Sequence, residues 1–338
     1  VPKGGEATCN AGIVCGNSGS SITDCTAKFT GDASIESNGA ISFGGAVGSL
    51  SGVGECAVSL VSTEMGGTVK IAQGDEYSDV HVGGVFGSAS NATASACDAL
   101  LSGDIEISSN VADGTTNVNV GGVCGKSGML TAGCHAEWTE SAHVKIASDR
   151  SNFGGVTGLT QAESNYAFLV GCYALCKGRV EIEPKNGTDY TANAGGIAGT
   201  LANSTIAGCT VKAKNIYGHN ASSPSLIGVS GIAAYVVGVS SVSDCKAYAT
   251  LIRNSTVLGT EDASVTPDNL FGMGMIVGID AGTTTVTNCG VGGSFYLGAS
   301  EKPQELILTL DADSYAKGII GSGKTATVGG CYYWNGEE

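Results

Sequence analysis

The chain has 338 residues, of which 42% are hydrophobic and 54 are glycine. This hydrophobic content excludes a disordered chain, and glycine without a strict third-residue period excludes a collagen-like one. The net charge of −15 disfavours nucleic acid and anionic membrane surfaces as partners.

The first predicted elements are copies of one short repeat that occurs nine times along the chain. A Gly-Gly-aliphatic-x-Gly turn is followed about ten residues later by Cys-x-Ala, as in Gly83–Gly87 before Cys97 and Gly195–Gly199 before Cys209. The repeat cysteines lie 31 to 44 residues apart, and they are Cys25, Cys56, Cys97, Cys134, Cys172, Cys209, Cys245, Cys289 and Cys331.

One repeat, residues 118–153, contains three predicted strands and a polar loop. Residues 118–120 and 142–146 alternate between apolar and polar, and residues 129–138 carry the cysteine between them. Such a unit is typical of one coil of a parallel β-solenoid. We therefore predict an all-β fold over residues 1–338, namely a single-domain, right-handed β-helix of about nine coils. Residues 298–338 are predicted to form the last coil and a C-terminal cap.

The repeat cysteines are interpreted as one interior column of free thiols. Cysteine is small and readily buried, and residues stacked on adjacent coils stay ~4.8 Å apart, too far for a disulfide. Free thiols in this number indicate a reducing or anaerobic setting.

Two further columns are interpreted as structural. Outward Lys70, Glu106, Lys145 and Glu181 alternate in charge on the third predicted strand, and exposed pairs of this kind contribute only ~0.2–1 kcal/mol each. The other column precedes the glycine pair and can hydrogen-bond along the axis; it comprises Ser42, His81, Asn119, Asn152 and Asn193.

Residues 195–211, with Gly-Gly-Ile-Ala-Gly followed by Ser-Thr-Ile-Ala-Gly-Cys-Thr-Val, resemble GLUG-type repeats, as do residues 274–291. Such repeats occur in bacterial adhesins and in the non-catalytic N-terminal regions of IgA-specific metallopeptidases. The resemblance extends over nearly the whole chain, although the repeats here are longer and cysteine replaces a frequent aromatic residue. It implies a β-solenoid on a bacterial cell surface that serves attachment or recognition, and it implies no catalytic residue.

Motifs for nucleotides and metals fit the repeat better than they fit a ligand. Residues 318–325 match a P-loop pattern, but a strand-like segment follows where a helix is needed, so we expect no nucleotide. A linear cysteine stack does not supply tetrahedral zinc ligands. Acidic positions Asp75, Glu76, Asp79, Asp311 and Asp313 match no calcium loop and are interpreted as solvated. We therefore predict neither a cofactor nor a metal.

Two surfaces are candidates for ligand binding. The outward positions after the cysteines in the middle coils combine acidic, basic and aromatic groups, and we call them the binding face: Asp98, His135, Glu137, Tyr173, Lys212, Lys246 and Tyr248. The loops lengthen toward the C-terminus, and insertions in repeat proteins collect on one edge. That loop edge is predicted to include Tyr190, Tyr217, His219, Asp262 and Asp268.

The favoured function is a non-catalytic, adhesin-like protein that binds a glycan, a matrix protein or a neighbouring cell. A polysaccharide lyase or glycoside hydrolase is the first alternative, although no two carboxylates fall in one column on adjacent coils. A purely structural stalk is the second. The sequence begins at Val1, so we expect a processed form without its signal or anchor, at the cell surface or outside the cell. The longest apolar run, Leu226 to Val239, predicts no membrane insertion by this segment.

Overall fold

The computed structural model describes residues 8–74, 78–109, 116–161, 166–183, 191–220, 226–255, 272–298, 304–306, 318–322 and 326–337. The prediction of an all-β parallel solenoid is confirmed. Among the described strands every pairing is parallel except that of Gly290–Gly298 with Gln304–Leu306. Successive copies of a strand lie side by side, so each coil adds one layer to each sheet that it enters.

Within the described residues, three sheets run along the solenoid axis. Sheet A has eight strands: Cys9–Gly12, Ile41–Gly44, Val80–Gly83, Asn117–Gly121, Arg150–Gly154, Thr191–Gly195, Leu226–Ser230 and Met273–Gly274. Sheet C has five strands: Ala33–Ser37, Val69–Gln73, Asp104–Ser109, His143–Ala147 and Arg179–Glu183. Sheet B has 24 strands: Cys15–Ser18, Ile22–Phe29, Val47–Met65, Phe86–Ser95, Asp98–Leu101, Cys124–Ser127, Leu130–Ala132, His135–Trp138, Thr157–Gln161, Ala167–Val170, Tyr173–Cys176, Ala198–Ala202, Ser204–Ala207, Thr210–Asn220, Ala233–Val237, Val239–Ser243, Lys246–Ser255, Val277–Asp280, Thr283–Thr287, Gly290–Gly298, Gln304–Leu306, Ile320–Ser322, Thr327–Gly329 and Tyr332–Tyr333.

The prediction of about nine coils is wrong, since the solenoid has about five turns. Sheet C, which completes a three-sided coil, has five strands and ends at Glu183 within the described residues. The next coil replaces the separate third strand with an extension of the strand before it. Strand Thr210–Asn220 continues through a register shift between Ala213 and Ile216. An even repeat in the sequence therefore does not produce equivalent coils along the whole chain.

The glycine motif lets two backbones touch where sheet A turns into sheet B. A Cβ on Gly121 would lie 1.9 Å from the carbonyl oxygen of Cys124, and a Cβ on Gly125 would lie 2.5 Å from the amide nitrogen of Val82. Any side chain at either position would force the strands apart. The motif is thus a requirement of backbone packing and needs no ligand to explain it.

A second corner precedes the cysteine column, and its residue adopts the left-handed backbone region. These corner residues are Asp24, Leu60, Ala96, Gly133, Gly171, Gly208, Asp244, Asn288 and Gly330. Glycine, asparagine and aspartate tolerate positive φ well. Leu60 is an unfavourable residue for this region, yet it adopts φ 54°, and it is 61% exposed. The corner turns the chain so that the next residue points into the core.

The register corrects the cysteine column at one position. Cys25 pairs with Val61, and Cys56 pairs with Ala92, so Cys56 is buried but lies outside the column. Val61 occupies the column because the strand Val47–Met65 reaches the corner five residues later than the sequence repeat suggests. The other column residues follow the expected order, and none of the thirteen cysteines forms a disulfide.

The column thiols bond to backbone carbonyls at the corner. Cys172 Sγ donates to the carbonyl oxygen of Val170 at 3.6 Å and to that of Thr131 at 3.4 Å, and Cys209 repeats both contacts one coil later. Burial costs a polar group free energy unless it is hydrogen-bonded, so a small donor suits this position. Burial also raises the pKa of the nearby Cys176 thiol to about 12, which keeps it protonated and unreactive at neutral pH.

The two predicted polar columns occupy opposite environments. Glu106 lies between Lys70 and Lys145 in sheet C, and the Lys70 Nζ to Glu106 Oε2 distance is 3.2 Å with both side chains exposed. The other column is buried in sheet A. Asn193 Nδ2 donates to Asn152 Oδ1 at 2.9 Å, Asn152 Nδ2 donates to Asn119 Oδ1 at 2.8 Å, and Asn119 Nδ2 lies 3.1 Å from His81 Nδ1. We call this second column the amide ladder.

Candidate functional site

The binding face lies on sheet B, directly after the left-handed corner. One outward column contains Asp98, His135, Tyr173 and Lys246, with Thr210 between the last two. The column two residues further along contains Glu137, Lys212 and Tyr248, with Leu175 between Glu137 and Lys212. Adjacent members of a column stand ~4.8 Å apart because they are paired in a parallel sheet.

Three members of the face form a contact chain on adjacent strands. His135 Nδ1 lies 3.7 Å from Asp98 Oδ1, and the His135 and Tyr173 rings have centroids 5.0 Å apart at 50°. The Asp98 and His135 side chains are 63% and 42% exposed, so a ligand could reach both. The His135 Nε2 atom is buried without a hydrogen-bond partner. The three groups can therefore contact one ligand together.

Glu137 belongs to an ion-pair cluster beside this chain. Its Oε1 lies 2.9 Å from Lys177 Nζ, and Glu140 is contacted by Lys214 Nζ at 3.4 Å. The hydrogen bond with Glu137 raises the pKa of Lys177. Neither lysine belongs to the predicted binding face. Much of the charge of Glu137 is thus balanced by the protein itself.

Lys212, Lys246 and Tyr248 form a separate cluster under Trp334. The two Nζ atoms lie 5.8 and 5.5 Å from the Trp334 ring, and Tyr248 meets that ring edge-on at 6.4 Å. Gly290 and Gly292 occupy the intervening coil, and a Cβ on Gly290 would lie 3.1 Å from the Cβ of Trp334. Because these positions lack side chains, Trp334 reaches back over the neighbouring coils and is only 8% exposed. We call this arrangement the tryptophan clamp.

The structure therefore divides most of the predicted face into an open half, with Asp98, His135 and Tyr173, and a half that packs against Trp334, with Lys212, Lys246 and Tyr248. Sequence reasoning missed Trp334, although a signal was present. Trp334 follows Cys331 by three residues, the same offset that places Tyr248 after Cys245. The column of residues three positions after each repeat cysteine therefore extends to Trp334 in the last coil.

The predicted loop edge is described only at Tyr217 and His219. Tyr190, Asp262 and Asp268 lie outside the described residues. Tyr217 and His219 do not lie in a loop, since both belong to strand Thr210–Asn220 and pair with Ile252 and Asn254. Their expected position in a loop is wrong because the apolar residues of this segment continue the sheet.

The described residues also bear on metal binding and membrane insertion. Within the described part of the chain, no group of three or more His, Cys, Asp or Glu side chains is placed to hold a metal ion. Of the acidic positions noted in the sequence, Asp79 is described, and its Oδ1 accepts from the amide and side-chain nitrogens of Asn117. No helix among the described residues has the length and apolarity to cross a membrane. Comparison with protein-family models, with curated proteins and with solved structures gives no match.

Proposed function

We propose that this chain is a non-catalytic binding protein of adhesin type, at a bacterial cell surface or outside the cell, that recognises a glycan or an extracellular protein. The observation that carries the proposal is the contact chain of Asp98, His135 and Tyr173 on three adjacent strands. The charged column of sheet C pairs its own charges and the amide ladder is buried, whereas these groups place a carboxylate, an imidazole and a phenol ring side by side on an outward surface.

The chemistry of the open half suits a hydroxyl-rich ligand. A carboxylate accepts hydrogen bonds, an imidazole both donates and accepts, and a phenol ring offers an apolar surface with a polar tip. The lysines of the binding face that could attract an anion, Lys212 and Lys246, already lie against the Trp334 ring. The net charge of −15 adds a further penalty for an acidic ligand. The resemblance to GLUG-type repeats points in the same direction.

A glycan array tests this proposal directly, with the double variant His135→Ala/Tyr173→Ala beside the wild type. We expect a bound set of glycans whose signals fall at least tenfold in the variant. Lys70→Ala on sheet C is the control, because it removes an exposed side chain from another surface. Loss of signal in the control, or an unchanged signal in the double variant, would refute the assignment.

A polysaccharide-degrading enzyme is the second candidate, and one observation favours it. The Asp98 carboxylate lies beside the His135 imidazole, and a Tyr173 phenol follows, so a base and an acid stand on neighbouring strands. An assay for new reducing ends, run on the same array of polysaccharides, separates the two functions. Release of sugar that is abolished by His135→Ala would replace binding with catalysis. A protein that neither binds nor cleaves would be a structural stalk.

A further inference from the structure

The strands that lead into the left-handed corner form another outward surface, which differs from the rest of the molecule in charge. Its first column contains Thr93, Leu130, Phe168, Thr205, Ser241 and Thr285. A second column follows two residues later on each strand, from Ser95 to Thr287. Among the described side chains of these two columns none is charged, in a chain with 16 basic and 31 acidic residues. We call this surface the uncharged face.

The contrast with the neighbouring surfaces is local. The binding face, only one corner away on the same coils, carries Asp98, Glu137 and Lys246. Sheet C carries the alternating lysines and glutamates. The corner residues Asp24 and Asp244 lie at the edge of the uncharged face. Since solubility favours dispersed charge, a surface without charge across this many strands calls for a separate explanation.

The uncharged face is regular along the axis. The pairings from Leu130–Ala132 to Thr283–Thr287 run in parallel without a register shift. Outward side chains therefore repeat at ~4.8 Å between strands and ~6.6 Å along a strand. Thr205 Oγ1 and Ser241 Oγ lie 2.9 Å apart, so neighbouring hydroxyls already hydrogen-bond across the strands. The surface offers an ordered set of neutral donors and acceptors.

One coil adds apolar rings to this hydroxyl array. Tyr166, directly before strand Ala167–Val170, is 56% exposed, and Phe168 and Val170 within that strand are 42% and 39% exposed. Phe168 pairs with Leu130 and Thr205, whereas Val170 pairs with the small residues Ala132 and Ala207 and stands above them. Exposed apolar groups with a polar surround commonly mark an interaction surface.

We propose that the uncharged face binds an uncharged polysaccharide, at a site separate from the binding face. The CH-rich faces of sugar rings pack against aromatic rings, and sugar hydroxyls pair with serine and threonine hydroxyls. A charged polymer would be desolvated on this face and would find no opposite charge in return. A protein partner commonly contributes charged residues at its rim, which this surface also leaves without partners.

The test is a pull-down and affinity-electrophoresis panel with five neutral polymers (cellulose, chitin, mannan, xylan and starch) and two anionic ones (alginate and polygalacturonate). We expect binding to at least one neutral polymer and to neither anionic one. Tyr166→Ala/Phe168→Ala should lower the association constant at least tenfold. Thr285→Lys should also lower it, because it places a charge on the face without disturbing the core.

Tyr173→Ala on the binding face is the matched control and should retain binding to the neutral polymer. Binding to none of the five neutral polymers would overturn the proposal, as would preference for an anionic one. Binding that survives in Tyr166→Ala/Phe168→Ala and in Thr285→Lys would also overturn it. A neutral glycan whose binding is lost only in Tyr173→Ala would support the binding face and reject the uncharged face, so the two proposals fail separately. Circular dichroism verifies that each variant is folded.

Discussion

His81 is expected to make the protein sensitive to mild acid, because it ends the amide ladder as an acceptor. Every amide in the ladder donates toward the N-terminal coils, and the last donor, Asn119 Nδ2, lies 3.1 Å from His81 Nδ1. That contact requires an unprotonated Nδ1. Protonation of His81 Nδ1 would place an N–H donor opposite the Asn119 Nδ2 donor and would bury a positive charge. Replacing His81 with asparagine supplies a neutral acceptor at the same place.

The magnitude follows from the pKa. The pKa of His81 is lowered from 6.5 to about 4, mainly by burial. Asp79 opposes this shift and Lys126 adds to it. Because the folded-state pKa lies below the unfolded one, the stabilisation is present above pH 6.5 and is lost as the pH falls toward 4. The lost free energy of unfolding is roughly 3 kcal/mol over this window. His81→Asn should lack this loss and should change stability at pH 7 by less than about 1 kcal/mol.

The assay is urea denaturation of the wild type and His81→Asn at several pH values between 7 and 4. The difference between the two slopes isolates His81 from the carboxylates that both proteins share. Thr285→Ala, which changes an exposed side chain without a titratable group, is the control and should keep the wild-type slope. NMR titration of labelled histidine rings gives an independent value. A His81 midpoint near 6.5, or equal slopes in the wild type and His81→Asn, would refute the reasoning.

Three other predictions concern stability and can be measured by urea denaturation. Leu60→Gly should raise the free energy of unfolding by about 1 kcal/mol, because it relieves a left-handed residue; a loss would mean that the exposed side chain packs favourably. Cys209→Ala should cost about 1–3 kcal/mol, because it leaves a small void and two carbonyls without the thiol; no cost would reject the bonding role of the column. Glu106→Gln should cost less than ~1 kcal/mol, since its ion pair with Lys70 is exposed; a larger loss would show that sheet C depends on its charges.

Much of the fold could be predicted because the repeat encodes it locally. Glycines at the sheet A corner, a small thiol at the core position and alternating strands each follow from near-neighbour chemistry. The second coil shows the limit of this reasoning. Cys56 matches the repeat by residue type, but Val61 is the residue that occupies the cysteine column. The spacings would have revealed the error: Val61 lies 36 residues from both Cys25 and Cys97. In the second coil, the regular spacing of the repeat is therefore a better guide to the column than the presence of a cysteine.

The candidate site was only partly predictable for a different reason. The order of Asp98, His135 and Tyr173 across strands follows from the repeat register, which a sequence can supply. The tryptophan clamp depends on two glycines in one coil and on an aromatic residue in another, so it is a contact between distant coils. Lys177 reaches Glu137 from the next coil and Lys214 reaches Glu140 from two coils away, and side-chain reach of this kind is not encoded in the repeat.

The tryptophan clamp also has a mechanical consequence. A stack of coils usually unravels from its ends, since a terminal coil has a neighbour on one side only. Here the ring of Trp334 rests on lysines that belong to two earlier coils, with a glycine coil between them. Under a force applied at the C-terminus, we expect the strands that carry Lys212, Lys246 and Trp334 to yield together. Single-molecule pulling would then record one rupture event where independent coils would give several.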